Sequence, residues 1–176
     1  MPLIESPIGR VAENKDGLRV PPQEIERKWL VSEIPDVAAA RRCEIAQGYL
    51  ALMEDGSEVR VRRSGNSFWQ TVKSAGDLAR DEIEIPLTLE QFEVLWPHTQ
   101  GRRIDKIRYE IGLEHGAIAH LDLYNGSLSG FAVVEVEFSS RIEAQRFTPP
   151  SWFGREVTQE PGYKNKNLAT HGLPRG

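Results

Sequence analysis

Cysteine occurs once in this 176-residue chain, at Cys43. That excludes an internal disulfide and a zinc cage built from several thiolates. No His neighbours Cys43 in sequence, so it reads as a packed bystander rather than a reactive thiol. No apolar run approaches the length of a membrane span. The N-terminus lacks a basic stretch followed by an apolar one, as a secretory signal would have. Nor does either sign of charge dominate: 22 Lys and Arg against 26 Asp and Glu leave a net charge of −4. The chain as a whole has no basic field to draw it to nucleic acid, although a local basic patch remains open. No repeat of solenoid length and no low-complexity block occurs. These absences favour a cytoplasmic protein with reduced thiols that engages neither membrane nor nucleic acid.

What is present is the material of one globular domain, 39% apolar and 27% charged. Residues 1–22 are polar, aperiodic and end at Pro21-Pro22, which reads as a flexible leader. The domain is expected over 23–170, with a loose tail at 171–176. Within the domain the dominant period is two. It runs through EIERKWLV (24–31), less cleanly through CEIAQGYLAL (43–52), and clearly through SEVRVRR (57–63). It continues in SFWQTVKS (67–74), DEIEIPL (81–87), RRIDKIRYEIGL (102–113), AIAHLDLYNG (117–126) and FAVVEVEFSS (131–140). Eight strands with short connections predict antiparallel pairing. TLEQFEVLW (88–96) has helical spacing, with Thr88 as N-cap and Gln91 at the third helical position. Short helices are expected over 140–147 and 163–170. The fold class is sheet-dominated α+β.

Each strand is charged on one face and apolar on the other. Glu24, Glu26 and Lys28 share a face, as do Glu58 with Arg60 and Arg62, Glu82 with Glu84, Lys106 with Arg108, and Glu135 with Glu137. An ordinary half-buried sheet explains any one strand. It explains the set less well, because Ser, Thr and Gln are scarce on these faces and three of them carry E-x-E, whose like charges repel. Eight antiparallel strands can instead close into a barrel with the charged faces inward. A lumen holding acids and bases together cannot be a dry core. Paired carboxylates are hard donors for Mg²⁺ or Mn²⁺, and clustered Arg and Lys are donors for phosphate oxygens. A metal-bound polyphosphate needs both.

EIERK is followed, in order, by RVR (60–62), TVK (71–73), EIE (82–84), KIR (106–108), LDL (121–123), EVE (135–137) and VTQEPGYKNKNLA (157–169). This succession resembles the CYTH superfamily, the triphosphate tunnel metalloenzymes, over roughly residues 23–170, and most closely its short bacterial members. The resemblance implies an eight-stranded antiparallel tunnel with flanking helices. It implies hydrolysis of inorganic triphosphate to pyrophosphate and phosphate with Mg²⁺, Mn²⁺ being the second candidate. Carried over by position, Glu24, Glu26, Glu135 and Glu137 are metal ligands, with Glu82, Glu84 and Asp122 beside them as secondary ligands or orienters. Arg60, Arg62, Lys73, Lys106 and Arg108 hold phosphate. Lys28 stands at the position associated with catalysis, with Tyr49 as its candidate partner. The same tunnel could serve a thiamine or nucleoside triphosphatase, a class IV adenylate cyclase, or a non-catalytic polyphosphate-binding module. A homodimer through the apolar outer wall is compatible with the pattern. His98, His115 and His171 read as solvated, and His120 sits on the charged face without a second His at ligand spacing.

Overall fold

The computed structural model describes residues 12–13, 19–20 and 23–175. Ala12–Glu13 (β1) pairs antiparallel with Arg19–Val20 (β2). The remainder of the expected leader, and Gly176 of the expected tail, lie outside the described residues. The barrel strands follow as β3 (Gln23–Val31), β4 (Arg41–Leu52), β5 (Glu58–Ser64), β6 (Ser67–Lys73), β7 (Ala79–Leu87), β8 (Arg103–Gly112), β9 (Ile118–Tyr124) and β10 (Ala132–Glu137). The helices are α1 (Leu89–Leu95), α2 (Arg141–Arg146) and α3 (Asn165–His171), and a short strand, β11 (Phe153–Glu156), lies between α2 and α3. No helix among the described residues is long and apolar enough to cross a membrane.

β3 closes the barrel. One of its edges pairs with β10, from Glu26↔Glu137 to Leu30↔Val133. Its other edge pairs with β7 at Gln23, Glu24 and Ile25, and then with β11 at Trp29 and Val31. Between those two partners, Glu26 N donates to Leu78 O, Lys28 N donates to Thr158 Oγ1, and Lys28 O accepts from Val157 N. The backbone of β3 is therefore satisfied on both edges along most of its length. The ring β3-β7-β6-β5-β4-β8-β9-β10 returns to β3, all neighbours antiparallel. All eight strands expected from the period of two are present.

The apolar faces point outward and are covered in part. Trp29, Ala119, Val134 and Val136 pack with Phe153 of β11, beneath Phe147 and Trp152. Arg27 binds this cover to the wall: its guanidinium reaches Glu156 at 2.6 Å and donates to Ala144 O at 2.7 Å. α1 starts at the expected capping box, with Thr88 Oγ1 accepting from Gln91 N and Gln91 Oε1 accepting from Thr88 N. It lays Phe92 against Phe68 and Trp96. At one end of the barrel the inward positions turn apolar. Leu30, Ile104, Tyr124 and Val133 pack there with Leu128 and with Leu168 of α3, and Tyr124 donates to Asn165 at 2.5 Å.

β4 alternates less cleanly for two reasons. A bulge at Leu50 shifts its register against β5, so that Tyr49 pairs with Arg60 and Ala51 with Val59. Gly48 faces outward against Thr99, where a Cβ would come within 2.5 Å of the Thr99 Cβ. Replacing Gly48 by Ala should therefore destabilise the fold by about 1–3 kcal/mol through overpacking. A lowered urea midpoint would show this, and an unchanged one would mean the Thr99 turn can move aside.

Candidate active site

Residues opposed across antiparallel strands share a face, and the register carries the charged faces round the whole wall. Glu26 stands opposite Glu137, Lys28 opposite Glu135, and Asp122 opposite Arg108. On the far side Arg60 opposes Thr71, Thr71 opposes Glu84, and Lys73 opposes Glu82. Arg80 opposes Glu24 where β7 meets β3. The result is one cavity of about 920 Å³ lined by side chains from all the barrel strands except part of β9, where His120 alone reaches the surface.

The cavity has two unlike sides. On one side, Lys73 Nζ lies 2.6 Å from both Glu24 and Glu82, while Arg80 reaches Glu26 at 2.8 Å and Glu24 at 3.6 Å. Glu137 completes this acidic group; the imidazole of His120 lies 3.9 Å away, and burial and the nearby Arg108 disfavour its charged form. Glu137 lines the cavity with its side chain 57% exposed, and the neighbouring strands still crowd its carboxyl. Burial, Glu24 and Glu26 together raise its pKa to about 7. On the other side, Asp122 accepts from Lys106 at 2.5 Å and from Arg108 at 2.7 Å, and Arg108 also reaches Glu135 at 3.0 Å. Burial alone would raise the Asp122 and Glu135 carboxyls, but the cations beside them outweigh it and hold both below the usual carboxylate range. Burial lowers Lys106 to about 8, against the pull of Asp122.

The structure brings most of the candidate residues to this cavity, in roles that differ. Glu24, Glu26, Glu82 and Glu137 gather round Lys73 and Arg80. Glu84 instead pairs with Arg62 at 2.8 Å and accepts from Thr71. Glu135 lies between Lys28, at 2.7 Å, and Arg108. Asp122 is fully buried beneath the basic side. Lys28 Nζ also donates to Tyr163 O at 3.2 Å. No hydrogen bond joins Tyr49 to Lys28 among the described residues. Tyr49 stands on β4, across the barrel from β3, and its hydroxyl accepts from Gln47 Nε2 at 3.0 Å. Two guanidinium donors, Arg60 Nε and Arg62 Nε, are buried with no hydrogen-bond partner among the described residues.

Two charged residues of the cavity have no role in the sequence analysis: Arg80 lies outside the stretches read as strands, and Glu58 enters only as part of a charged face. Arg80 stands one residue before the stretch recognised as a strand, and only the pairing Glu24↔Arg80 reveals its inward direction. Glu58 is buried to 3% exposure, with Lys166 at 3.7 Å and Arg60 at 4.0 Å. Its alternation with Arg60 and Arg62 was the available signal. Among the described residues no three His, Cys, Asp or Glu stand together as a ready metal cage. The donor set is nevertheless all hard oxygen, and the raised Glu137 marks a local excess of negative charge that a divalent cation would relieve.

The CYTH domain family matches residues 22–173. An inorganic triphosphatase of Nitrosomonas europaea is 48% identical over 146 residues, covering 83% of this chain and 96% of that protein. One from Acetivibrio thermocellus is 34% identical over 148 residues, covering 83% and 92%. A crystal structure of an inorganic triphosphatase superposes with a TM-score of 0.65 at 44% identity, over 86% of this chain and 97% of that one.

The Glu137 carboxyl should titrate near pH 7 when followed by carbon NMR, and Glu26→Gln should move its midpoint down by removing a like charge. The folded protein holds this proton more tightly than the unfolded chain. Its contribution to stability is thus complete below the ordinary glutamate range and lost as pH rises through about 7. A midpoint in the ordinary range would mean that Glu24 and Glu26 do not act on Glu137.

Proposed function

The chain belongs to the CYTH domain family, and on that premise we propose that it hydrolyses inorganic triphosphate to pyrophosphate and phosphate with the help of a divalent metal ion. The observation that carries this reading is the division of one cavity into an acidic group round Glu24 and Glu26 and a basic wall of donors from Arg60, Arg62, Lys106 and Arg108. A neutral or apolar ligand would leave those donors unsatisfied, whereas a phosphate chain supplies oxygens for them.

Phosphoanhydride hydrolysis asks the protein to hold the chain in line, offset its charge and position a water. Arg60 and Arg62 line the cavity and present their guanidinium groups to phosphate oxygens. Lys106 and Arg108 present charge from a fixed place, because Asp122 anchors both. Asp122 thus serves to orient cations rather than to ligate metal. Glu24, Glu26, Glu82 and Glu137 would hold the ion, with Mg²⁺ the first choice and Mn²⁺ the second on an all-oxygen donor set. When bound, such an ion supplies neutralisation of phosphate charge and acidification of a water. Glu135 and Tyr163 O hold the Lys28 ammonium at the border of the two sides, where it orients the attacking water. As the water oxygen bonds to the terminal phosphorus, the bridging P–O bond breaks and pyrophosphate leaves as an anion toward the arginines, while one proton of the water stays on the released phosphate and the other passes to solvent.

Released phosphate measured with Mg²⁺ and either tripolyphosphate, ATP or thiamine triphosphate tests the substrate. Tripolyphosphate should be cleaved fastest, and chelator or Glu24→Ala should abolish cleavage. Faster turnover of an organic triphosphate would move the substrate while keeping the cavity, and tight binding without hydrolysis would leave a binding module. Lys28→Ala should lower kcat by about 10²-fold or more with a far smaller change in KM. Near-normal turnover would remove Lys28 from the reaction.

A further inference from the structure

Arg80 has no assigned part in holding phosphate or water, yet it lines the acidic side of the cavity beside Glu24 and Glu26. Its guanidinium donates to Glu26 Oε1 at 2.8 Å and lies 3.6 Å from Glu24 Oε2. Its side chain is only 11% exposed. The loop before β7 is shaped round its stem. A Cβ on Gly76, which has φ +146°, would fall 2.6 Å from Ala79 O and 2.8 Å from Arg80 Cγ, so only glycine lets the chain close there. Burial disfavours the Arg80 charge, but Glu26, Glu24 and Glu58 outweigh it and raise its pKa. The two carboxylates that share a face on β3 would repel each other without this partner.

The other cation of the group is seated differently. Lys73 lies between Glu24 and Glu82 at 2.6 Å from each, with its side chain 4% exposed, deep in the wall. Arg80 is the second residue of its strand and reaches in from the rim. A divalent cation held by Glu24 and Glu26 would meet the guanidinium at contact distance, and like charges that close in a partly desolvated site exclude each other. We propose that Arg80 is the resident counter-ion of the Glu24–Glu26 pair, which keeps the two carboxylates together in the metal-free protein and is displaced when the divalent cation binds. This rests on the reading that Glu24 and Glu26 hold that ion. It assigns Arg80 a positioning role: the residue sets metal affinity by competing for the site.

Calorimetric titration of Mn²⁺ into the protein, without any phosphate compound, tests this at pH 8.5, above the Glu137 midpoint. Arg80→Gln should bind Mn²⁺ about tenfold more tightly than the unaltered protein, and Glu24→Ala should bind it more weakly. Equal or weaker binding by Arg80→Gln, with binding still dependent on Glu24, overturns the role of Arg80 alone. Binding that ignores Glu24→Ala removes the metal site itself, and the proposal with it. Should Arg80→Gln fail to fold, the unaltered protein decides the matter. The Arg80 Nε–H signal in its NMR spectrum must shift as Mg²⁺ saturates the site, and a signal that stays in place overturns the proposal.

Discussion

Every buried charge in this barrel depends on an opposite charge within reach, and that requirement sets the register of the whole sheet. Taking an ion out of water costs several kcal/mol unless a partner and hydrogen bonds replace the solvent. Here the partners form chains. Lys106, Asp122, Arg108, Glu135 and Lys28 succeed one another across β8, β9, β10 and β3 without a break. Across β3, β6 and β7, Glu82, Lys73, Glu24, Arg80 and Glu26 do the same. A slip of one residue in any strand would turn its charges to the outer wall and its Val and Ile inward. The apolar cover formed by Trp29, Phe147 and Phe153 resists the same slip from outside.

This explains why so much was legible from sequence. A strand with one charged and one apolar face has a period of two whichever face is wet, so all eight strands could be read directly. The direction of the faces could not be read from any single strand. It followed from the accumulation of like charges that an open face would not favour. What escaped lies where tertiary pairing overrides local pattern. β11 is a four-residue strand made by the free edge of β3 beyond β7. Arg80 fell outside the recognised period because its strand begins earlier than the alternation DEIEIPL shows. Tyr49 and Lys28 both face inward, but sequence order conceals that β4 and β3 are opposite in the ring. Asp122 and the E-x-E carboxylates look alike in sequence and differ only in which cations stand over them.

The closed end also bears on the chemistry. The inward positions Leu30, Ile104, Tyr124 and Val133 give the lumen an apolar floor, which Leu168 of α3 completes. The segment leading into α3 supplies Val157 N to the Lys28 backbone and Tyr163 O to its ammonium. Lys164 meets Asp77, and Lys166 meets Gly56 O, in the loops at the same end. Lys28 is therefore aligned from two directions, by β10 through Glu135 and by the C-terminal segment. Local propensity in residues 157–166 reveals none of this, since these contacts run between residues at least 87 positions apart.

A lumen with paired acids and a wall of arginine donors accepts its ligands unequally. A divalent cation alone must displace guanidinium or ammonium groups from Glu24, Glu26 and Glu82. A phosphate chain alone finds arginine donors, but also the carboxylates Glu137 and Glu82 nearby. Bound together, each offsets the charge that opposes the other. The cation neutralises phosphate oxygens, and the phosphates accept the donors that the cation has released. Coupling of this kind is reciprocal by thermodynamic necessity: whatever the cation adds to the affinity for the anion, the anion adds to the affinity for the cation. The internal ion pairs thus do more than keep an ionisable barrel standing. By weakening each half of the ligand taken separately, they make the metal–polyphosphate complex the species to which the cavity is complementary.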